Sequence, residues 1–321
     1  MFSASRLAQA IRSAGSSDAT PVAVGTSVAS GDQLFAAQAS FDSESVAYAA
    51  SVAKQFTAAC AALLERDGEL DCDATIAPWL PELPSWSERV RVRHLIHHTA
   101  GLPDVWLRMN ETQGTRRWTS QAFLAALAAT PELDHAPGTV YAYSNVGYIC
   151  LATIIERISA STLDSFARAR IFKPLGMTRS TFWTGPSPTP PTAVAPAAEP
   201  TQPAPLSAGD GGLWTSVSDL LRWNEAVMSD ALGITARTHT PGSLDDGTQL
   251  AYAWGVHVSQ VSGQTVQSHG GEYGNATAKL IRLPNRDASL AALAADNSVE
   301  RMSALGDFVQ SWLIQESVIP P

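Results

Sequence analysis

Apolar positions recur at helical spacing near both ends of the chain. Leu7, Ala10 and Ile11 share one face over residues 5–14, with Arg6 and Arg12 off that face. Leu305, Phe308, Val309 and Trp312 form a similar stripe over 304–314. Inside these ends the pattern shortens. Val22, Val24 and Val28 precede a Ser30-Gly31-Asp32 turn, and Leu34-Phe35 follow it, so two strands are expected across 21–40. Ser51 to Arg66 is rich in Ala, Gln, Leu and Glu and predicts a helix ended by Asp67-Gly68. From Ile76 to about Met228 the chain reads as helical pieces joined by Pro and Gly turns. Helices are expected over 121–129, 145–159 and 162–171, the last closed by Pro174-Leu175-Gly176. After about residue 248 strands return, at 250–258, 264–268, 276–283 and 289–295. No internal repeat interrupts this order.

Strands at both ends and helices between them predict an α+β fold. An antiparallel sheet, flanked by helices, joins the N- and C-terminal segments, and a mostly helical lobe is inserted. The expected division is 1–70 plus 235–321 for the sheet lobe and 71–234 for the helical lobe. The Pro-rich segment 185–205 reads as an irregular surface loop, either a spacer or a cover for a site.

Composition narrows the function classes. The chain has 321 residues, 45% hydrophobic and 16% charged, enough for two lobes with a substantial core. A net charge of −9 without any Lys/Arg run argues against nucleic acid and anionic membrane surfaces as partners. No stretch approaches the roughly 20 apolar residues of a membrane span. Gln9, Arg12 and Ser13 break any leader-like apolar run, so a cytoplasmic location is expected; a trimmed leader would leave the same sequence. Cys60, Cys72 and Cys150 are an odd, sparse set without metal-site spacing, and read as buried small residues.

Three short motifs carry candidate chemistry. Ser51-Val52-Ala53-Lys54 is a Ser-x-x-Lys at a helix start. Residues three apart share a helix face, so the Lys54 amine reaches the Ser51 hydroxyl. A serine hydroxyl needs such a base, or a favourable field, to act as a nucleophile. The helix N-terminus adds positive potential there. The plain alternative is an N-capping Ser and a solvated Lys. Tyr143-Ser144-Asn145 follows Pro137-Gly138 and opens a helix. Tyr143 is a candidate acid or base, and Asn145 a candidate holder of Lys54 or of a substrate amide. The plain alternative is packing by Tyr143 and N-capping by Asn145. His269-Gly270-Gly271-Glu272 lies at the end of a predicted strand. Two glycines allow close approach of a substrate, and the N–H groups of Glu272 and Ser51 are candidates for an oxyanion hole. The plain alternative is an edge histidine followed by a turn.

Taken together, the chain resembles the serine β-lactamase/penicillin-binding-protein-like family, in its branch of class C-type β-lactamases, DD-peptidases, D-aminopeptidases and esterases. The resemblance covers most of the chain. It runs through residues 50–57, Leu95-Ile96-His97-His98-Thr99-Ala100-Gly101-Leu102-Pro103, 137–148, 171–177, Gly209-Asp210-Gly211-Gly212-Leu213-Trp214 and His269-Gly270-Gly271. His269 stands where many β-lactamases carry Lys. The resemblance implies that Ser51 attacks an ester or amide carbonyl. Lys54 and Tyr143 then shuttle the proton as a coupled pair, and the acyl group on Ser51 passes to water or another nucleophile. Asn145, His269, Gly270 and Gly271 are then substrate-binding.

Other residues change this picture little. His94, His97 and His98 lack the Glu of His-Glu-x-x-His and a third ligand, so no metal is expected, nor any cofactor. Asp210 is read as structural, and Asp104, Trp106 and Trp214 as pocket walls or core. Glu272 would disfavour anionic acyl groups and attract a cationic amine. The expected partners are a small-molecule acyl donor and, for a transacylase, an amine or alcohol acceptor. Oligomeric state is open. An esterase or amidase leads. Against it stand a biosynthetic transacylase, a DD-peptidase or β-lactamase, and a non-catalytic binding protein.

Overall fold

The computed structural model describes residues 3–29, 31–105, 109, 118–185, 187, 189–193 and 205–316. Trp106 and most of the Pro-rich segment, residues 186, 188 and 194–204, lie outside the described residues. In chain order the strands are β1 Val22–Ser27, β2 Gln33–Gln38, β3 Ala47–Tyr48, β4 Thr181–Phe182, β5 Leu213–Thr215, β6 His257–Val261, β7 Gln264–Tyr273, β8 Ala276–Leu283 and β9 Ala288–Ala294. The helices are α1 Ala4–Ser13, α2 Ala53–Arg66, α3 Val92–Ile96, α4 Ser120–Ala128, α5 Asn145–Ser159, α6 Leu163–Ala167, α7 Val217–Met228, α8 Thr235–Thr238 and α9 Val299–Glu316.

Six strands form one sheet in the order β2-β1-β9-β8-β7-β6, antiparallel throughout. Val22 pairs with Ala294, so the first strand of the chain lies beside the last. This is why strand patterns appear at both ends of the sequence and helices between. The centre of the sheet is β9, Ala-Ser-Leu-Ala-Ala-Leu-Ala, buried along its whole length. Alanine favours helix, yet here two apolar faces decide. Leu290 and Ala292 pack with Leu7, Ile11, Leu305 and Trp312 of α1 and α9. Ala291 and Leu293 face the larger core with α2 and α7. A strand covered on both faces must be apolar on both. β3, β5 and β4 form a small second sheet beside the nucleophile segment.

Helix α2 is the axis of the large core. Every residue from Ala53 to Leu64 is buried, and Phe56 packs 4.5 Å from Trp223 and 5.8 Å from Phe172, ring centre to ring centre. Gly255, at φ +76°, lets the loop before β6 touch α2. A Cβ there would lie 2.6 Å from the Gln55 nitrogen.

Several expectations need correction. The expected helix starts later, because Ala50–Val52 forms a 3₁₀ turn ahead of α2. The stretch 250–258 is not a strand: Gly255 turns the chain, and β6 starts at His257. The helix expected over 162–171 is α6 followed by a wider π turn, Arg168–Phe172. His269 does not end its strand, since β7 continues to Tyr273. Pairing with β6 stops at Ser268, so from His269 onward that edge of β7 is turned to the cleft rather than to a strand among the described residues. Among the described residues no single helix is long and apolar enough to cross a membrane.

Candidate active site

Ser51 sits in the tight turn between β3 and α2. Ala49 donates its N–H to the Leu213 carbonyl at 2.9 Å, and Val52 closes back on Ala49 at 3.1 Å. Between them Ala50 takes φ +46°, a left-handed conformation that side chains with a Cβ avoid. The turn presents Ser51 at the cleft floor. Two connected hollows, of about 290 and 90 Å³, share Ser51 and Glu272 in their walls.

Lys54 follows one turn later and is fully buried. Its Nζ lies 3.1 Å from Ser51 Oγ, donates to Asn145 Oδ1 at 2.8 Å and to the Asp210 main-chain oxygen at 2.7 Å. An ammonium has three donors, and all three have an acceptor here. A neutral amine fits the same geometry. It would donate to the two carbonyl oxygens and turn its lone pair to the Ser51 hydroxyl.

Asn145 is the first residue of α5, and Ser144 is its N-cap, with Oγ accepting from Gly147 at 3.1 Å. This frees the Asn145 amide for Lys54, against the plain alternative of an Asn cap. Tyr143 precedes the cap and is 43% exposed. Its ring face lies 4.9 Å from Lys54 Nζ, and the Tyr148 ring 5.7 Å on another side. Asp210 enters through its backbone. Its carboxyl is buried and accepts from Ser207 Oγ at 3.1 Å, and burial pushes its pKa up against the pull of Lys54. The structural reading of that side chain holds, while its carbonyl is part of the site.

Strand β7 closes the cleft. A Cβ on Gly271 would collide with the Ala49 carbonyl oxygen, so only glycine lets β7 lie against the Ser51 turn. Gly270 is different: a Cβ there would be 3.7 Å from its nearest neighbour. His269 is buried. Its Nδ1–H donates to the Gly270 carbonyl at 2.5 Å, which leaves Nε2 to accept the Tyr252 hydroxyl at 3.2 Å. Burial, followed by the nearby Lys54 charge, pushes its pKa down to about 3. A neutral imidazole thus stands where the family resemblance implies a cation. A cation does reach the larger hollow from the next strand, because Lys279 lines it beside Gly270 and Glu272. Glu272 itself is exposed at the rim.

Two of the three neighbouring histidines, His94 and His97, serve structure. His94 caps α3 through Nδ1, which accepts the Arg91 N–H at 3.1 Å. The Nδ1–H of His97 donates to the Tyr252 carbonyl at 3.3 Å. Burial pushes both down to about 4. His98 lies inside the site, in ring contact with Tyr143, Tyr148 and Tyr252. Among the described residues no group of three His, Cys, Asp or Glu side chains could hold a metal ion. Trp214 packs on Tyr48 at 5.3 Å, away from Lys54. Tyr252 was not foreseen. It sits in a stretch whose alternating apolar residues resemble a strand, and no local motif marks it.

The beta-lactamase family model matches residues 7–309. The chain belongs to the beta-lactamase family. A D-aminopeptidase of Brucella anthropi is 30% identical over 239 residues, 69% of this chain and 44% of that protein. A penicillin-binding protein from Bacillus halodurans superposes with a TM-score of 0.81 at 20% identity, over 95% of this chain and 98% of its own. The D-amino acid amidase from Ochrobactrum anthropi SV3, complexed with L-phenylalanine amide, gives 0.79 at 20% identity over 98% of each chain. These two likenesses show the beta-lactamase family fold. The matched region is about half the length of the curated relatives, 44% of that D-aminopeptidase and 58% of a penicillin-binding protein 4* of Bacillus subtilis.

Proposed function

We propose that this chain is a serine acyl hydrolase that cleaves small amides or esters through an acyl group on Ser51. The observation that carries the reading is the Lys54 amine, buried and held 3.1 Å from Ser51 Oγ by two carbonyl acceptors. In the first half-reaction Lys54 takes the Ser51 proton as Oγ bonds to the substrate carbonyl carbon. The carbonyl π pair moves to oxygen, which the N–H groups of Ser51 and Glu272 stabilise. The oxyanion collapses and the C–N or C–O bond breaks. The leaving group takes the proton that Lys54 received, with Tyr143 as the relay at the cleft mouth. In the second half-reaction water gives a proton to the same pair and attacks the acyl carbon. The Ser51–acyl bond breaks, Ser51 Oγ takes that proton back, and the acid leaves.

His269, Gly270 and Gly271 on β7 and Asn145 at the start of α5 are assigned to substrate binding. Amides of small amino acids are the first substrates to test, a choice supported by the names of the D-aminopeptidase relative and the D-amino acid amidase neighbour. The test is intact-protein mass spectrometry with a fluorophosphonate. One adduct is expected, lost in Ser51→Ala and strongly slowed in Lys54→Met. No adduct with several acylating probes would overturn the reading in favour of a binding protein on this fold.

A further inference from the structure

His98 touches the Tyr143 segment in three ways. Its carbonyl oxygen accepts the Ala142 N–H at 2.8 Å, and its Nδ1 accepts the Ser144 N–H at 3.0 Å. Between these two bonds its ring lies on the Tyr143 ring, with centroids 4.3 Å apart and planes at 38°. The backbone is bent to allow this, since His98 takes φ +57°. The same zipper continues below it, where Gly138 N–H donates to the Thr99 carbonyl at 2.8 Å and Asp134 N–H to that of Gly101 at 2.9 Å.

Because Nδ1 accepts, the ring proton resides on Nε2. That Nε2 is buried without a partner among the described residues. A residue present for packing alone would avoid an unsatisfied buried donor. Burial, with the Lys54 charge second, holds His98 neutral, well below the ordinary histidine range.

We infer that His98 is the positioning residue of this site: it holds residues 142–144 so that the Tyr143 ring stays against Lys54. The inference rests on the proposed role of Tyr143. Two replacements separate its parts. His98→Asn keeps an acceptor near the Nδ1 position and tolerates positive φ. His98→Phe keeps the ring and removes the acceptor.

The experiment measures acylation by a chromogenic ester and by a fluorophosphonate, alongside Tm. His98→Phe is expected to lower the acylation rate with both probes about tenfold or more. His98→Asn should stay within about threefold of the parent. In a Tyr143→Phe background the effect of His98→Phe should largely vanish, since both act through one group. If His98→Phe does not fold, His98→Gln, whose carbonyl lies one bond further out, takes its place with the same expectation. Equal losses in the Phe and Asn variants, or an undiminished loss in the Tyr143→Phe background, would overturn the inference. An unchanged rate in Tyr143→Phe alone would instead remove the proton role of Tyr143, and the inference with it.

Discussion

Lys54 Nζ stands 2.7 Å from the main-chain oxygen of Asp210, while the Asp210 carboxyl turns to Ser207. The lysine at the centre of the site is therefore held by a backbone carbonyl and an amide, not by a carboxylate ion pair.

Asp210→Asn should therefore leave kcat/KM within about threefold, because the atom that meets Lys54 is unchanged. Asn145→Ala removes an acceptor from a buried amine. It should cost about 1–3 kcal/mol, roughly ten- to a hundredfold in acylation rate. Steady-state kinetics on one chromogenic ester compare the two, and a larger loss in the Asp210 variant contradicts this account.

The two glycines of β7 should behave unlike each other. Gly271→Ala drives a methyl group into the Ala49 carbonyl and displaces the Ser51 turn, so acylation should fall far more than Tm. Gly270→Ala meets only ordinary contacts and should keep most activity unless the substrate is bulky. Paired Tm and acylation measurements read the difference.

His269→Lys should change which acyl donors are preferred. Neutral His269, near 3, offers no charge to an anion, whereas lysine restores one beside Ser51. The ratio of acylation rates for benzylpenicillin over a neutral ester should rise. The loss of the Tyr252 partner makes a lower Tm the accompanying expectation. A flat ratio would show that His269 does not set charge preference.

Stability should fall on mild acidification. His94 and His97 are held near 4, and His239 and His269 near 3, by burial first in each case. In the unfolded chain these rings take protons below about pH 6.5. Their neutral folded form thus supports the fold fully above pH 6.5. That support is lost as pH falls from there through 4 towards 3. Asp210 and Asp219, pushed up by burial, act in the opposite sense and soften the slope. His239 is the clearest case, since its Nε2 accepts from the fully buried Arg282 at 3.0 Å. Tm measured from pH 8 to pH 4.5 should be flat at first and then drop, and His239→Gln should flatten the drop.

Much of this molecule is legible from local pattern. Helix α5 spans Asn145–Ser159 and β8 spans Ala276–Leu283, as the sequence pattern predicts, although the cap is Ser144 and not Asn145. The Ser51–Lys54 contact follows from the pitch of one helical turn, which needs no partner element. That the sheet joins the two ends of the chain was legible because strand-like runs appear at both ends with helical pieces between.

Other features depend on neighbours distant in sequence. The strand reading of 250–258 failed because Gly255 turns the chain against α2, a contact no local pattern records. The neutrality of His269 and of His98 depends on burial first and on the Lys54 charge second, and the rings of Tyr143, Tyr148 and Tyr252 surround His98. Motif spacing in the sequence determined which residues are candidates for the chemistry, because backbone geometry sets spacing locally. The tertiary structure alone decided what holds them. Desolvation and hydrogen bonding of Lys54, His98 and His269 arise only when segments 17 to 156 residues apart meet.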